Sequence, residues 1–273
     1  MISLASPSPS HPRRPASPWA ELWAARELLR NLVLRNLRVK YQRSMLGFVW
    51  TLLNPLLTVG VLIAVFRFVL RLQVPHYWAF LLSGYFVWNF AMQCMTAGTT
   101  VLPEHSHLSR SVAFPAEVLI VSITLSRLTE FLVEIVLVLI LLLGFHHHGA
   151  PWSFAWLPLL LLIQVVLVTG LTLPIAALSV FFHDVRHALP IGLMVLFYAS
   201  PVFYPASLVP ERFRPLYMLN PFAGLLTMYQ DVLYRGRPPA LPLLALTATV
   251  TFVLAGIGYV AFRRYRAIFP EIA

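Results

Sequence analysis

Cysteine is nearly absent from this chain of 273 residues: Cys94 stands alone, which excludes an intramolecular disulfide and a cysteine metal cluster. Charge is scarce as well. Asp, Glu, Lys and Arg make up 11% of the residues, hydrophobic residues make up 59%, and mean hydropathy is +0.78. A soluble domain carries about a quarter charged residues, so the composition is that of a polytopic membrane protein. Lysine occurs once, at Lys40, and no glycine precedes Gly47. A phosphate-binding loop G-x-x-x-x-G-K-[ST] therefore cannot form, and ATP cannot bind in that way. H-E-x-x-H and G-x-S-x-G are missing too, which removes the zinc-protease helix and the nucleophile elbow. The alternating segments of an outer-membrane barrel are not there. No internal repeat is visible, although single-chain carriers are commonly built from two. A pathway is then expected to form by pairing with a second copy. Residues 1–18, "MISLASPSPSHPRRPASP", lack an apolar centre and read as a disordered cytoplasmic tail rather than a signal peptide.

What is present is a series of six apolar stretches, at about 49–70, 77–102, 116–145, 154–182, 188–204 and 239–262. A spanning helix needs about 20 such residues; the fifth stretch is short and the third long. The net charge of +10 could suggest nucleic acid, but its distribution speaks for topology. With the N-terminus inside, thirteen of the twenty Lys and Arg residues fall on the cytoplasmic side and five outside, with Arg67 and Arg127 in the stretches themselves. The positive-inside rule then puts both termini in the cytoplasm. The expected fold is all-α: an amphipathic helix over 19–46, then a six-helix membrane domain over 47–273.

Along 19–46, Leu22, Leu29, Val33 and Leu37 make one apolar stripe and Leu28, Leu32 and Val39 another, with basic residues around them. Such a helix lies in the head-group layer, either against protein or as an anchor for anionic lipid. Gly47 is placed as its C-terminal cap. The first span holds Asn54-Pro55 in its early turns, and the second is aromatic well beyond an interfacial belt, with Tyr85, Phe86, Trp88 and Phe90. Loop 103–115 is polar and bounded by prolines. The third stretch carries Arg127, Glu130 and Glu134, whose spacings of three and four put them on one helix face. Intramembrane charge rarely faces lipid, so this group either locks one helix to another by ion pairing or lines a pathway. His146, His147 and His148 are consecutive, and consecutive side chains do not converge on one tetrahedral metal; no metal site is expected. In "FFHDVRHAL" Asp184 and Arg186 are placed to cap adjacent helix ends. Pro205, Pro210, Pro215 and Pro221 cut the longest outer segment, 205–238, into short pieces. There Asn220 reads as an N-cap, Pro221 as the first helical residue, and Gly236 as the stop. The apolar face of that helix suggests that it dips back into the membrane.

The stretch "LRVKYQRSMLGFVWTLLNPLL" resembles the start of the first span in ABC type-2 transporter permeases, in the polysaccharide, O-antigen and teichoic-acid exporter branch. The matching residues are Arg38, Lys40, Tyr41, Ser44, Leu46, Gly47, Trp50, Leu53 and Pro55. "FFHDVRH" is similar to a turn of that family, with His183-Asp184 where Arg-Asp is usual; "SPVFYP" and "LNPF" resemble its segments flanking re-entrant outer helices. The order of these motifs over about 26–270 makes the match specific. The resemblance implies a half-transporter in a bacterial inner membrane that pairs as a homodimer and docks a separate ATPase subunit. ATP and Mg then sit on that partner, and this chain has no cofactor and no catalytic residue. It implies ATPase coupling through the helix over 26–46 and a coupling helix in 103–115, with Arg38, Lys40, Tyr41, Glu104, His105, Arg110 and Asp184 as its residues. It makes Gly47, Trp50 and Pro55 a gate or hinge. It also implies a lipid-linked glycan as cargo, for which Tyr85, Phe86, Trp88, Phe90, Tyr198, Phe203 and Tyr204 offer flat apolar faces. Three alternatives stay open: an intramembrane glycan or lipid transferase using Glu130 and Glu134, an ion channel or ion-coupled carrier, and a drug or small-lipid exporter of the same fold.

Overall fold

The structure, a computed structural model, describes residues 25–42, 47, 49–104, 116–145 and 151–266. Regular structure among these residues is helical. α1 (Arg26–Tyr41) precedes α2 (Val49–Ile63), which continues as a π-helical segment, Ala64–Val69. α3 (Tyr77–Glu104) and α4 (Glu117–Phe145) follow, and a 3₁₀ turn at Pro151–Trp156 opens α5 (Leu157–Phe181). After α6 (Val185–Tyr198) come two short 3₁₀ turns, α7 (Arg214–Tyr217), α8 (Pro221–Leu233) and α9 (Leu241–Arg266).

Four of these stretches, Val49–Val69, Glu117–Phe145, Trp152–Phe181 and Leu241–Tyr265, are long and apolar enough to cross a membrane. They match the first, third, fourth and sixth apolar stretches of the sequence. The other two differ, each for a physical reason. α3 has the length, 28 residues, but Ser83, Asn89, Gln93, Thr96, Thr99 and Thr100 leave it outside that set. It tolerates them because it is the centre of the fold, buried along most of its length and packed by α2, α4, α5, α6 and α8. The fifth stretch does not stay helical to 204. α6 has 14 residues, which at about 1.5 Å each is roughly 21 Å against a hydrocarbon core of about 30 Å. Pro201 ends it, since the residue before a proline is pushed out of the helical region.

The amphipathic helix also ends earlier than 46. Its last residue is Tyr41, and Gln42 caps it in the right-handed region. Gly47 lies beyond, with φ +47°, a left-handed turn residue just ahead of α2 rather than the helix cap. A Cβ there would meet nothing within 4 Å, so backbone conformation, not space, calls for glycine. At Gly170 the reverse holds: a Cβ would sit 2.5 Å from Ala255 Cα, so α5 and α9 can close on one another only over a residue without a side chain.

α8 forms as its sequence dictates. The Asn220 side chain accepts a 3.0 Å hydrogen bond from Phe222 N, and Pro221 opens the helix. Gly236, φ +63°, lies just past its end. Phe222, Leu225, Leu226, Tyr229 and Leu233 are buried against α3, α5 and α9. Polar side chains pin the surrounding chain. Tyr229 donates to Gln164 Oε1 at 2.7 Å while Gln164 Nε2 donates to Val87 O at 3.0 Å, which ties α8, α5 and α3 together. Gln230 Nε2 holds Pro201 O at 2.6 Å, and Asn220 Nδ2 holds Ser200 Oγ at 2.9 Å. Asp184 occupies the N-cap position of α6, but its side chain makes no capping hydrogen bond. The expected Asp184 cap is therefore absent, and Arg186 Nε is buried without a partner among the described residues.

Candidate functional site

Lys40, Tyr41, Arg127 and Glu130 meet at one point where α1 lies across α4. The Lys40 ammonium donates to both Glu130 oxygens, at 2.8 Å and 2.7 Å. The Tyr41 hydroxyl donates to Glu130 Oε1 at 2.6 Å and lies 2.7 Å from Thr51 Oγ1, which brings the start of α2 to the same point. Arg127, one turn before Glu130 on α4, donates to Oε2 at 3.0 Å. Glu130 is thus a buried carboxylate with two cations and a hydroxyl upon it. A carboxylate this deep is sustained only by charge-assisted hydrogen bonds of this kind. Burial lowers the pKa of Lys40 from its usual value, opposed by its hydrogen bond and charge interaction with Glu130. Burial raises that of Tyr41, and the carboxylate it donates to raises it further.

The arrangement clamps the helix that lies outside the apolar spans to one that lies within them. Apolar packing supports it: Leu32 of α1 is buried with Val101 and Leu102 of α3, Val118, Leu119 and Ile120 of α4, and Phe262 of α9. Between α1, α3 and α4 a cavity of about 310 Å³ remains, lined among others by Arg35, Asn36, Lys40, Thr100, Ser126 and Glu130. Of the two readings of Arg127, Glu130 and Glu134, the helix-to-helix lock describes Arg127 and Glu130. Glu134 stands one turn further on. It is 1% exposed, and its Oε1 has no hydrogen-bond partner among the described residues.

The remaining sequence candidates are scattered. Arg38, Glu104 and Asp184 are exposed, as is Trp50, while Pro55 is buried inside α2. His105 and Arg110 lie outside the described residues, as do His146, His147, His148 and residues 1–18. Phe86, Trp88, Phe90 and Phe203 sit inside the subunit. Trp88 packs on Phe197 and Phe222 with ring centres 5.7 Å and 5.4 Å apart, Phe90 stacks on Phe131 at 5.1 Å, and Phe203 meets Phe66 at 4.7 Å. All four side chains are buried within one subunit, and those of Trp88, Phe90 and Phe203 pack against rings from other segments of the chain. Tyr198 is exposed, and Tyr85 and Tyr204 are partly so.

Sequence reasoning did not bring Lys40 and Tyr41 to Glu130, 90 and 89 positions away. The available signal was one of charge balance only: the chain has one lysine, Lys40, and one apolar stretch that holds two glutamates, Glu130 and Glu134. It also passed over Asp231, a buried acid on α8 that holds Arg235 at 2.5 Å and Arg237 at 2.8 Å, although Asp231 and Arg235 are four apart on one helix.

Known proteins resemble the chain over nearly its full length. The profile of the ABC-2 type transporter family matches residues 27–234. An O-antigen export system permease protein, RfbA, of Myxococcus xanthus is 36% identical over 255 residues, which are 92% of this chain and 97% of that one. A protein of the same description from Klebsiella pneumoniae is 27% identical over 90% of this chain and 95% of its own. The polysialic acid transport protein KpsM of Escherichia coli is 23% identical over 85% of this chain and 91% of its own.

Proposed function

The chain belongs to the ABC-2 type transporter family, as its multi-pass permease subunit and not its ATPase, and we propose that it exports a lipid-linked polysaccharide across a bacterial inner membrane. The end-to-end likeness to O-antigen export permeases carries this reading. A permease of this family works with an ABC ATPase subunit. In the proposal that subunit holds ATP and Mg, docks on the cytoplasmic face, and acts through α1 and the segment 103–115. Two copies of the chain form the pathway. α3 and α6 span with the four apolar helices, α3 because its neighbours cover it and α6 with the turn that follows it. Both termini are cytoplasmic, and α8 returns into the membrane from the outer side. Tyr198, with Tyr85 and Tyr204, faces the sugar in this proposal.

The intramembrane transferase reading loses ground on geometry, because both Glu130 oxygens are occupied by Lys40 and neither is a free base. Deletion of the gene is the test of cargo. Surface polysaccharide should disappear while lipid-linked polymer accumulates on the cytoplasmic side. Unchanged surface glycan would overturn the assignment. The purified chain alone should hydrolyse no ATP and should co-purify with its ATPase.

A further inference from the structure

We propose that Glu130 and Glu134 are two alternative seats for the Lys40 ammonium, and that α1 passes from one to the other as the transporter turns over. The inference rests on the permease reading above and names the residues through which the ATPase stroke reaches the spans. Glu134 is the observation that calls for it. Its side chain is buried on the same face of α4 as Glu130, and its Oε1 finds no donor among the described residues. A buried polar group without a partner is rare and costly in a native fold. Four residues along a helix correspond to about 6 Å, within the compass of a flexible lysine stem moving with its helix.

The charges favour two arrangements. Lys40 and Arg127 supply two positive charges and Glu130 and Glu134 two carboxyl groups, yet Glu130 holds both cations and Tyr41 as well. Moving Lys40 one turn along would leave Arg127 on Glu130 and give Glu134 a cation of its own. Each seat is then a paired state, which is what a bistable element requires; one-turn shifts of one element past another are a known form of such a switch. Lys40 is loosely held at its present seat. A cavity opens between α1, α3 and α4 on the Asn36 and Ser126 side of it, reaching Glu130 but not Glu134, so α1 is not close-packed on α3 there, and the Lys40 side chain retains 34% of its exposure.

The test uses the permease–ATPase complex in proteoliposomes. Glu134→Gln keeps the shape and removes the ionisable carboxyl of the second seat. Export should fall by about tenfold or more with ATP hydrolysis retained, so that glycan moved per ATP drops, while thermal unfolding is not lowered and Glu134→Asp restores part of the export. Full export by Glu134→Gln would overturn the proposal, and so would a loss of folding, which would make Glu134 a packing group. A second measurement does not depend on the cargo. Asn36 Nδ2 and Ser126 Oγ lie 3.5 Å apart, so Asn36→Cys and Ser126→Cys, in a Cys94→Ser background, can be joined by a short reducible bifunctional thiol reagent. Joining should be efficient at rest and several-fold less efficient in the vanadate-trapped complex. Equal joining in both states would overturn the handover even if glycan export stands. Absence of glycan export by the wild-type complex, with state-dependent joining intact, would instead overturn the cargo assignment.

Discussion

Among the described residues two buried acids, Asp231 and Glu130, each hold two cations, and they are built in opposite ways. Asp231 takes Arg235 and Arg237 from its own chain neighbourhood, four and six residues on, and the Arg237 backbone N–H also bonds Asp231 O at 3.0 Å. That cluster closes the end of α8 upon itself. Glu130 takes one cation from its own helix and one from α1, 90 positions away, with Tyr41 and Thr51 drawing in α2. The first clasp fixes a helix terminus; the second ties α1 and α2 to α4, which lies about 90 positions further along the chain. A local clasp re-forms wherever its helix goes, whereas a long-range one reports on, and resists, relative movement of the parts it joins.

Removing the acid should therefore hurt the long-range clasp more. Glu130→Ala takes away the carboxylate that Lys40, Arg127 and Tyr41 share, and with it the polar link between α1, α2 and α4, and should cost roughly 2–3 kcal/mol, read as a lowered unfolding midpoint in detergent together with loss of ATPase co-purification. Asp231→Ala should cost about 1–2 kcal/mol, because it parts only residues of one chain neighbourhood and Arg237, 60% exposed, can return to water; ATPase binding should be unchanged. Equal losses in the two variants would erase the distinction. Tyr41→Phe removes one hydroxyl between Glu130 and Thr51 and should cost about 1 kcal/mol. Combined with Glu130→Ala, its effect should be less than additive, since the hydroxyl no longer has its carboxylate. Gly47→Leu comes last because its effect is mainly functional; a side chain at a left-handed φ should cost about 1 kcal/mol of stability. Its readout is export: insertion should be normal while ATP hydrolysis is uncoupled from glycan movement. Normal export would remove Gly47 from the hinge between clasp and span.

Local signals were legible in the sequence. Asn220, Pro221 and Gly236 bounded α8, and the spacing of Arg127, Glu130 and Glu134 put the charges on one face before their neighbours were known. Four spans followed from length and apolarity alone. What was not legible depends on contacts between distant segments. α3 is polar for a span because other helices enclose it, and nothing within 77–104 states that enclosure. The aromatic side chains of Phe86, Trp88 and Phe90 look alike whether they pack a core or line a path; only their neighbours decide. Asp184 sat at the expected N-cap and still made no capping bond. The Lys40–Glu130 pair required knowing that α1 lies across α4, which no local pattern encodes.

The enclosure of α3 also bears on how the protein is made. The helices that cover its amides and hydroxyls on most sides, α4, α5 and α8, all follow it in the chain. At a synthesis rate of about 5–20 residues per second, the interval between completion of α3 and arrival of α8 is on the order of 10 s. At the start of that interval the future centre of the subunit has only α2 beside it, and its cover is completed stepwise by α4, α5 and α8. Biogenesis must therefore shelter α3 at the translocation machinery, or in its aqueous interior, until the later helices arrive. Slowed elongation beyond residue 104 would lengthen that exposure and lower the yield of inserted protein without altering a single contact of the finished fold.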